Sequence, residues 1–520
     1  MGLEHVLRTL FFLSLLFLPA IAFSQTQFEI IETTISEIHT AYASGSLTAR
    51  ELVQAYLDRI EAYDQQGPEI NAILSMNDRA LEEADKIDEV FRLSGFVGPL
   101  HGIPVVLKDQ MDVMGLPTTL GSDLFRGYFP DRDAFVTEKL KSAGAIILAK
   151  VTLGELAGGD THGSLFGSTR NPYGLQRTSG GSSGGSAASV AANFSTLAVG
   201  QEGFASIRRP SAWNSIVGMR SSAGLISRAG VFAGWPQLAG QLGPMARTVE
   251  DLVTLLDVMV GYDPEDPLTA HGIGNFSGSY RRFLDAEGLS GARIGILRES
   301  IGVNSEPLSE DFLKVDVVFQ RSVTELREAG AVIIDPIVIP DLKELLNKRS
   351  SNPTAGEESF REYFSRSANQ PFASLETMLA DPMFGEITQY AQARFSREMD
   401  ASTHYDYLLA REQLMHNLLK VMADNDLSAI VYKAVEHQPT FIQDGVNPPY
   451  VNTKGAPHLN TFLIYVPAIV VPSGFTTDNL PVGLTFMGRP YEDGEIIRLA
   501  YSYEQYTKHR KPPLTVPPLN

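Results

Sequence analysis

The stretch Arg177–Met219 reads RTSGGSSGGSAASVAANFSTLAVGQEGFASIRRPSAWNSIVGM, and the rest of the chain is organised around it. It opens with a glycine-serine loop, Gly180-Gly181-Ser182-Ser183-Gly184-Gly185-Ser186. A small-residue helix over Ala187–Ala192 and an apolar strand over Thr196–Val199 follow. A second turn runs from Gly200 to Arg209 and carries Ser206. Glycine allows positive φ and close backbone approach, so serines on two such turns can be aimed at one point. A flexible linker, the ordinary reading of Gly-Ser runs, fits poorly, because this run feeds directly into an apolar helix and strand.

Outward from that stretch, strand and helix patterns alternate. Ile103–Leu107 reads as a buried strand ending at Lys108, where α/β folds place chemistry. A helix over Phe135–Ala143 leads to a strand over Ala145–Ala149, and strand–helix–strand implies parallel neighbours with helices on the sheet faces. Beyond the glycine-serine region, Arg293–Leu297 and Ala331–Val338 read as strands around a helix over Ser309–Ala329. Ala429–Tyr432, Ala468–Val471 and Pro481–Met487 are further strands, and Glu492–Lys508 is a closing helix. Thr48-Ala49-Arg50-Glu51 is a capping box that starts a helix, and Arg79–Phe91 is another. Residues 341–422 are mostly helical and more polar, the candidate cover over a substrate entrance. We expect one continuous α/β domain over residues 25–520.

Bulk properties narrow the function. The 520 residues are 43% apolar and carry a formal charge of −19, with a pI near 5.0. That balance argues against nucleic acid as a partner, since phosphate binding needs clustered Lys and Arg. There is no cysteine, which removes disulfides, thiol nucleophiles and Cys-based metal sites. Residues 1–24 read as a signal peptide: the apolar run Leu10–Phe23 is short for a span and broken by Pro19, and Ala22 and Ser24 suit cleavage before Gln25. A single basic residue, Arg8, precedes the run, opposed by Glu4. The expectation is a periplasmic or secreted protein with no stable membrane insertion after cleavage.

No Gly-Lys-Ser/Thr follows the glycine loop, so a phosphate cradle is disfavoured. Gly180-Gly181-Ser182-Ser183-Gly184 matches the G-x-S-x-G nucleophile elbow, which would need an acid and then a histidine downstream; His437 and His458 are available but lack a recognisable setting. A serine needs a base. Histidine is the usual one, but an uncharged buried lysine also serves, and Lys108 stands where that is feasible. One serine turn would then supply a proton relay and the other a nucleophile.

At these residues the sequence resembles the amidase signature family. The likeness covers nearly all of the chain after the leader. It rests on Gly98-Pro-Leu-His-Gly-Ile-Pro-Val-Val-Leu-Lys108-Asp, on Asn171-Pro172 with the loop Gly180–Ser186, on Ser206-Ile-Arg-Arg-Pro-Ser-Ala-Trp-Asn, on Gly243-Pro-Met-Ala-Arg-Thr-Val-Glu-Asp, and on Pro481-Val-Gly-Leu-Thr-Phe-Met-Gly-Arg-Pro. The resemblance implies a three-layer α/β/α fold with a large mixed, mostly parallel central sheet. It implies a Ser-Ser-Lys triad with Ser206 as nucleophile, Ser182 as relay after a cis peptide bond from Gly181, and Lys108 as general base. It also implies an oxyanion hole from the backbone N–H groups of Gly203, Phe204, Ala205 and Ser206, with Ser183, Glu202 and Arg208 in support.

The family commonly reads Gly-Thr-Asp-x-Gly-Gly-Ser where this chain has Gly200-Gln201-Glu202-Gly203-Phe204-Ala205-Ser206. Backbone donors survive such changes, whereas the pocket is reshaped. The expected activity is hydrolysis of a carboxamide of a small molecule or peptide, with no metal or organic cofactor. The alternatives are an esterase or carbamate hydrolase on the same triad, a low-turnover binding scaffold, and the glutamine-hydrolysing component of a tRNA amidotransferase, which the leader disfavours. His101 and His162 are expected to be structural, Arg209 to be a surface charge, and Phe204, Trp213 and Trp235 to be packing residues. Oligomeric state stays open between monomer and homodimer.

Overall fold

The computed structural model describes residues 28–232, 240–276, 278–350, 355–395 and 400–519. Residues 1–24, expected above to be a signal peptide, and Trp235 lie outside the described residues. Eleven strands form one sheet: β1 (Ile73–Met76), β2 (Pro104–Lys108), β3 (Ile146–Val151), β4 (Leu197–Glu202), β5 (Val217–Arg220), β6 (Gln241–Ala246), β7 (Arg293–Leu297), β8 (Val332–Ile337), β9 (Ala429–Lys433), β10 (Ala468–Phe475) and β11 (Pro481–Met487). Their order across the sheet is β1-β3-β2-β4-β6-β5-β10-β11-β9-β7-β8.

The large mixed sheet is present. Its parallel pairing is concentrated in two blocks, β3-β2-β4 and β9-β7-β8. The strands between them, and the β1 edge, pair antiparallel. Helices cover both faces. Strand side chains alternate between faces, and on β10 Val470 packs with Ala212 and Trp213 of the helix Arg208–Trp213. Its neighbours Ile469 and Val471 instead join the main core with Ile496, Ile497 and Ala500 of the helix Asp493–Thr507. The buried Val, Ile, Leu and Ala of β2, β3 and β4 join the main core together with residues of the flanking helices.

Three strands escape a reading by periodicity. β1 and β5 have four residues each. β6 contains Gly243-Pro244, a pair that normally marks a turn. A Cβ on Gly243 would sit 1.9 Å from the Met219 carbonyl oxygen, so glycine there lets β5 lie alongside. The capping box is as expected, with Thr48 accepting from the Glu51 amide and Glu51 closing back on the cap.

The segment 341–422 holds the helices Leu342–Asn347, Ala355–Phe364, Leu375–Leu379 and Gln389–Phe395 and most of Ala401–Asp424. Phe360, Tyr363, Phe364, Met378 and Ile387 form a separate apolar cluster with Leu120, Phe125, Tyr128 and Phe232. Tyr363 also donates to Asp112 Oδ1 at 2.6 Å, which docks this segment on the loop leaving β2. No described helix is long and apolar enough to cross a membrane.

Candidate active site

Topology brings the site together. β2 and β4 are adjacent and parallel, so Lys108 and the residues after Glu202 emerge at one edge of the sheet. The helix Gly184–Ala191, which connects β3 to β4, packs against β2 and β4. Its N-terminal approach, Ser182-Ser183, lies at that same edge. Ligand sites of open α/β sheets form in this position, beyond the carboxyl ends of parallel strands.

Lys108 is fully buried. Its Nζ donates to Ser182 Oγ at 2.7 Å and to the Gln201 carbonyl at 3.1 Å. The bond Gly181–Ser182 is cis. Ser183 acts as a staple: its hydroxyl donates to the Gln201 carbonyl at 3.2 Å and accepts from the Gln201 amide at 3.3 Å. The Ser183 amide donates to the Ser206 carbonyl at 3.1 Å, which ties the two serine turns to each other. Ser206 is half-buried. Among the described residues no hydrogen bond joins its hydroxyl to Ser182. The N–H groups of Gly203, Phe204, Ala205 and Ser206 donate to no protein acceptor among the described residues. Gly203, Phe204 and Ser206 are only half-buried, so N–H groups of this turn can meet solvent or an anionic ligand.

A buried ion pair brackets this turn. Arg208 Nε lies 2.8 Å from Glu202 Oε1, with both side chains fully buried. Glu202 Oε2 accepts from the amides of Ile207 at 2.9 Å and Arg208 at 3.0 Å, which caps the helix Arg208–Trp213. Arg208 also donates to Tyr432 Oη at 2.9 Å and to the Phe204 carbonyl at 3.0 Å. Burial works against the guanidinium charge, but Glu202 and Tyr432 outweigh it and hold Arg208 above its ordinary value.

Phe204 makes two ring contacts. Its ring stacks on His458 at 4.9 Å between centroids and 6° between planes. The Arg349 guanidinium sits 4.7 Å over the same ring. Burial, with Arg349 adding to it, pushes His458 down to about 4, so the stacked imidazole is neutral near pH 7. The side chain that departs most from the family pattern is thus part of an Arg–Phe–His cluster.

Several other expectations meet the structure here. Arg209 is not a surface charge: it is buried and salt-bridged to Asp160, because the helix that follows Ser206 turns it inward beneath the glycine-serine loop. His101 accepts from the Val97 amide at 3.3 Å, and His162 pairs with Ser168 Oγ at 2.7 Å, both structural arrangements. His437 contacts Asp311 at 2.9 Å and accepts from the Glu306 amide at 3.0 Å. With His458 stacked on Phe204, neither histidine bonds to Ser182, and the nucleophile-elbow alternative lacks its base. Trp213 is buried, with Nε1 donating to the His437 carbonyl at 3.0 Å. A second buried lysine was missed: Lys150 on β3 pairs with Asp109 at 2.8 Å, both fully buried. The clue was its place directly after the apolar run of that strand. A cavity of about 190 Å³ opens beside the loop, lined by Gly159, Asp160, His162, Tyr390, Tyr450 and Asn452 among others.

The chain is similar to known proteins along most of its length. The family model described as Amidase matches residues 51–497. A glutamyl-tRNA(Gln) amidotransferase subunit from Methanosarcina mazei is 32% identical over 491 residues, covering 90% of this chain and 96% of that protein. Among solved structures, the native peptide amidase from Stenotrophomonas maltophilia superposes with a TM-score of 0.80 at 31% identity, covering 93% of this chain and 98% of that one. The corresponding glutamyl-tRNA(Gln) amidotransferase subunit from Thermotoga maritima gives 0.71 at 27%, covering 92% and 95%.

These relatives overturn the expectation of export drawn from residues 1–24. Proteins similar along about nine-tenths of the chain are named for work on tRNA, which is intracellular chemistry. The ground for setting aside the amidotransferase alternative falls with it.

Proposed function

The chain belongs to the amidase family, enzymes acting on amide C–N bonds, and on that premise we propose that it hydrolyses a carboxamide through an acyl-enzyme on Ser206, with Ser182 as relay and Lys108 as base. The observation that carries this reading is the 2.7 Å contact between Lys108 Nζ and Ser182 Oγ, made at the sheet edge where the Ser206 turn also emerges. Uncharged Lys108 takes the Ser182 proton as Ser182 takes that of Ser206. The Ser206 oxygen then attacks the amide carbonyl. The resulting oxyanion is held by amides of Gly203–Ser206, one such donor being worth about 100- to 1000-fold in rate. The C–N bond breaks as the proton returns through Ser182 to the departing amine. Water, deprotonated along the same route, cleaves the ester and frees Ser206. Catalytic hydrogen bonds often tighten only in the complex, where the Ser182–Ser206 bond is expected to form. Substrate would enter by the cavity beside the loop, beneath the helices of the segment 341–422.

A second reading is hydrolysis of the glutamine side-chain amide, motivated by relatives named as glutamyl-tRNA(Gln) amidotransferase subunits. Among the solved structures the peptide amidase has both the higher identity, 31% against 27%, and the higher TM-score, 0.80 against 0.71. The charge of −19 speaks against this chain itself gripping tRNA phosphates. Purified protein assayed on glutamine, N-acetyl-phenylalaninamide and p-nitroacetanilide separates these substrate classes. A fluorophosphonate probe tests the nucleophile: labelling and turnover are expected in wild type and absent in Ser206→Ala. Lys108→Ala should lose at least about 1000-fold in kcat, as triad members generally do. Full turnover in either variant refutes the triad.

A further inference from the structure

Arg209 stands at the next position after Arg208, yet its side chain runs the other way, into the glycine-serine loop. Its Nε and Nη2 both donate to the Gly181 carbonyl, at 3.1 and 2.8 Å. Nη2 also donates to the Gly159 carbonyl at 3.0 Å, and Nη1 lies 2.6 Å from Asp160 Oδ1. The Trp213 ring lies 5.6 Å from the guanidinium carbon. Asp160 is itself anchored, its amide donating to Asn452 Oδ1 at 3.0 Å, and it lines the cavity beside the loop. Burial pushes the Asp160 carboxyl up, and the Arg209 charge opposes that.

The Gly181 carbonyl belongs to the peptide unit whose nitrogen is that of Ser182. A peptide unit is planar, so two donors converging on its oxygen fix the plane from which the Ser182 side chain departs. On the far side, the Ser182 carbonyl accepts from the Gly154 amide at 3.0 Å. The Arg209 backbone meanwhile donates to the Ala205 carbonyl at 2.9 Å, inside the turn that carries Ser206. One residue therefore touches both serine turns. A buried ion pair is weak evidence of stability in itself, which directs attention to what this one holds in place.

We propose that Arg209 is a positioning residue for Ser182, orienting the relay hydroxyl between Lys108 and Ser206 by clamping the Gly181 carbonyl, and that Asp160 holds the clamp. The proposal rests on the Ser-Ser-Lys reading. Arginine suits the role because its planar fork places two donors on one oxygen, which the single ammonium of lysine does not reproduce.

The test compares Arg209→Lys, the neutral double variant Asp160→Asn/Arg209→Met, Ser182→Ala and Ser206→Ala. Each is assayed on N-acetyl-phenylalaninamide and p-nitroacetanilide, with Tm alongside. Arg209→Lys is expected to lose about 10- to 100-fold in kcat on both probes, with KM within about twofold, since small misplacement of a reacting group carries that cost. The double variant should recover Tm, having no unpaired buried charge, while kcat stays low. A folded Arg209 variant with kcat within about twofold of wild type overturns the proposal, as does a rise in KM alone, which would make the pair a binding element. If the double variant does not fold, Arg209→Lys decides. Ser206→Ala at wild-type turnover removes the triad reading and this proposal with it. Ser206→Ala dead with Arg209→Lys unaffected removes this proposal alone.

Discussion

Replacing Glu202 by Gln tests whether the buried pair behind the Ser206 turn sets both stability and rate. Glu202 uses one carboxylate oxygen for Arg208 Nε at 2.8 Å and the other for the amides of Ile207 and Arg208 at 2.9 and 3.0 Å. All of these partners are donors. A glutamine has one oxygen and one NH₂, so either orientation sets donor against donor and leaves the fully buried guanidinium without its counter-charge. Breaking a buried pair in this way costs about 3–5 kcal/mol. Unfolding entropy of about 2.1 cal/mol/K per residue over 520 residues is about 1.1 kcal/mol/K, so Tm should fall by about 3–5 °C in scanning calorimetry. The turn Gly203–Ser206 is strung between the two partners, and its displacement should lower kcat by about 10- to 100-fold. Adding Arg208→Met removes the stranded charge, and it should return most of the Tm without the rate. If the Glu202→Gln protein melts within about 1 °C of wild type and turns over within about twofold, the pair does not hold the turn and the argument fails.

Three other outcomes follow from the geometry. Phe204→Gly removes the stack on His458 and the contact with Arg349, so it should cost about 1–2 kcal/mol of stability. It should also raise kcat/KM for amides with bulky acyl groups relative to acetanilides, and an unchanged ratio would show that the ring does not shape the pocket. Gly181→Ala would place a Cβ 2.5 Å from the Gly159 carbonyl oxygen and 2.9 Å from Asp160 Cα. Backbone on that side is slow to yield, so about 3 kcal/mol of destabilisation and loss of fluorophosphonate labelling are expected; a variant that labels at the wild-type rate would contradict the packing. The third outcome concerns pH. Burial is the main cause that pushes Glu504 from 4.5 up to about 8. The folded state then keeps a proton that the unfolded chain has released, and stability is lost as pH rises from about 4.5 towards 8. Because Glu504 is only half-buried, we set that loss at about 1–2 kcal/mol. Glu504→Gln should flatten the fall in Tm between pH 5 and 8; an equal slope in both proteins would count against it.

Much of this was legible residue by residue. Lys108 ends an unbroken apolar run, Ser182 lies in a loop made of glycine and serine, and Ser206 precedes a helix. Each is a statement about neighbours in sequence, and most elements lie within three residues of their expected bounds, with Ala468–Phe475 running four residues longer than expected. Arg208 and Arg209 show where such reading stops. They are adjacent and chemically identical, and their local patterns are equivalent. One pairs with Glu202 and the other with Asp160, a choice made by the helix rotation that sends neighbouring side chains in different directions. The strand Gln241–Ala246 escaped because its Gly-Pro pair looks like a turn, and only the neighbouring strand explains the glycine.

The sequence alone therefore placed one amine and two hydroxyls on turns at the ends of apolar strands, because apolar runs and glycine turns act over a few residues. Tertiary structure decided which polar groups are partners and which are buried. Phe204 meets His458 and Arg349, Trp213 meets His437, and Lys150 meets Asp109, contacts that exist only once the sheet order has brought distant segments together. Burial converts those contacts from options into requirements, since a charge or donor taken out of water must find a partner.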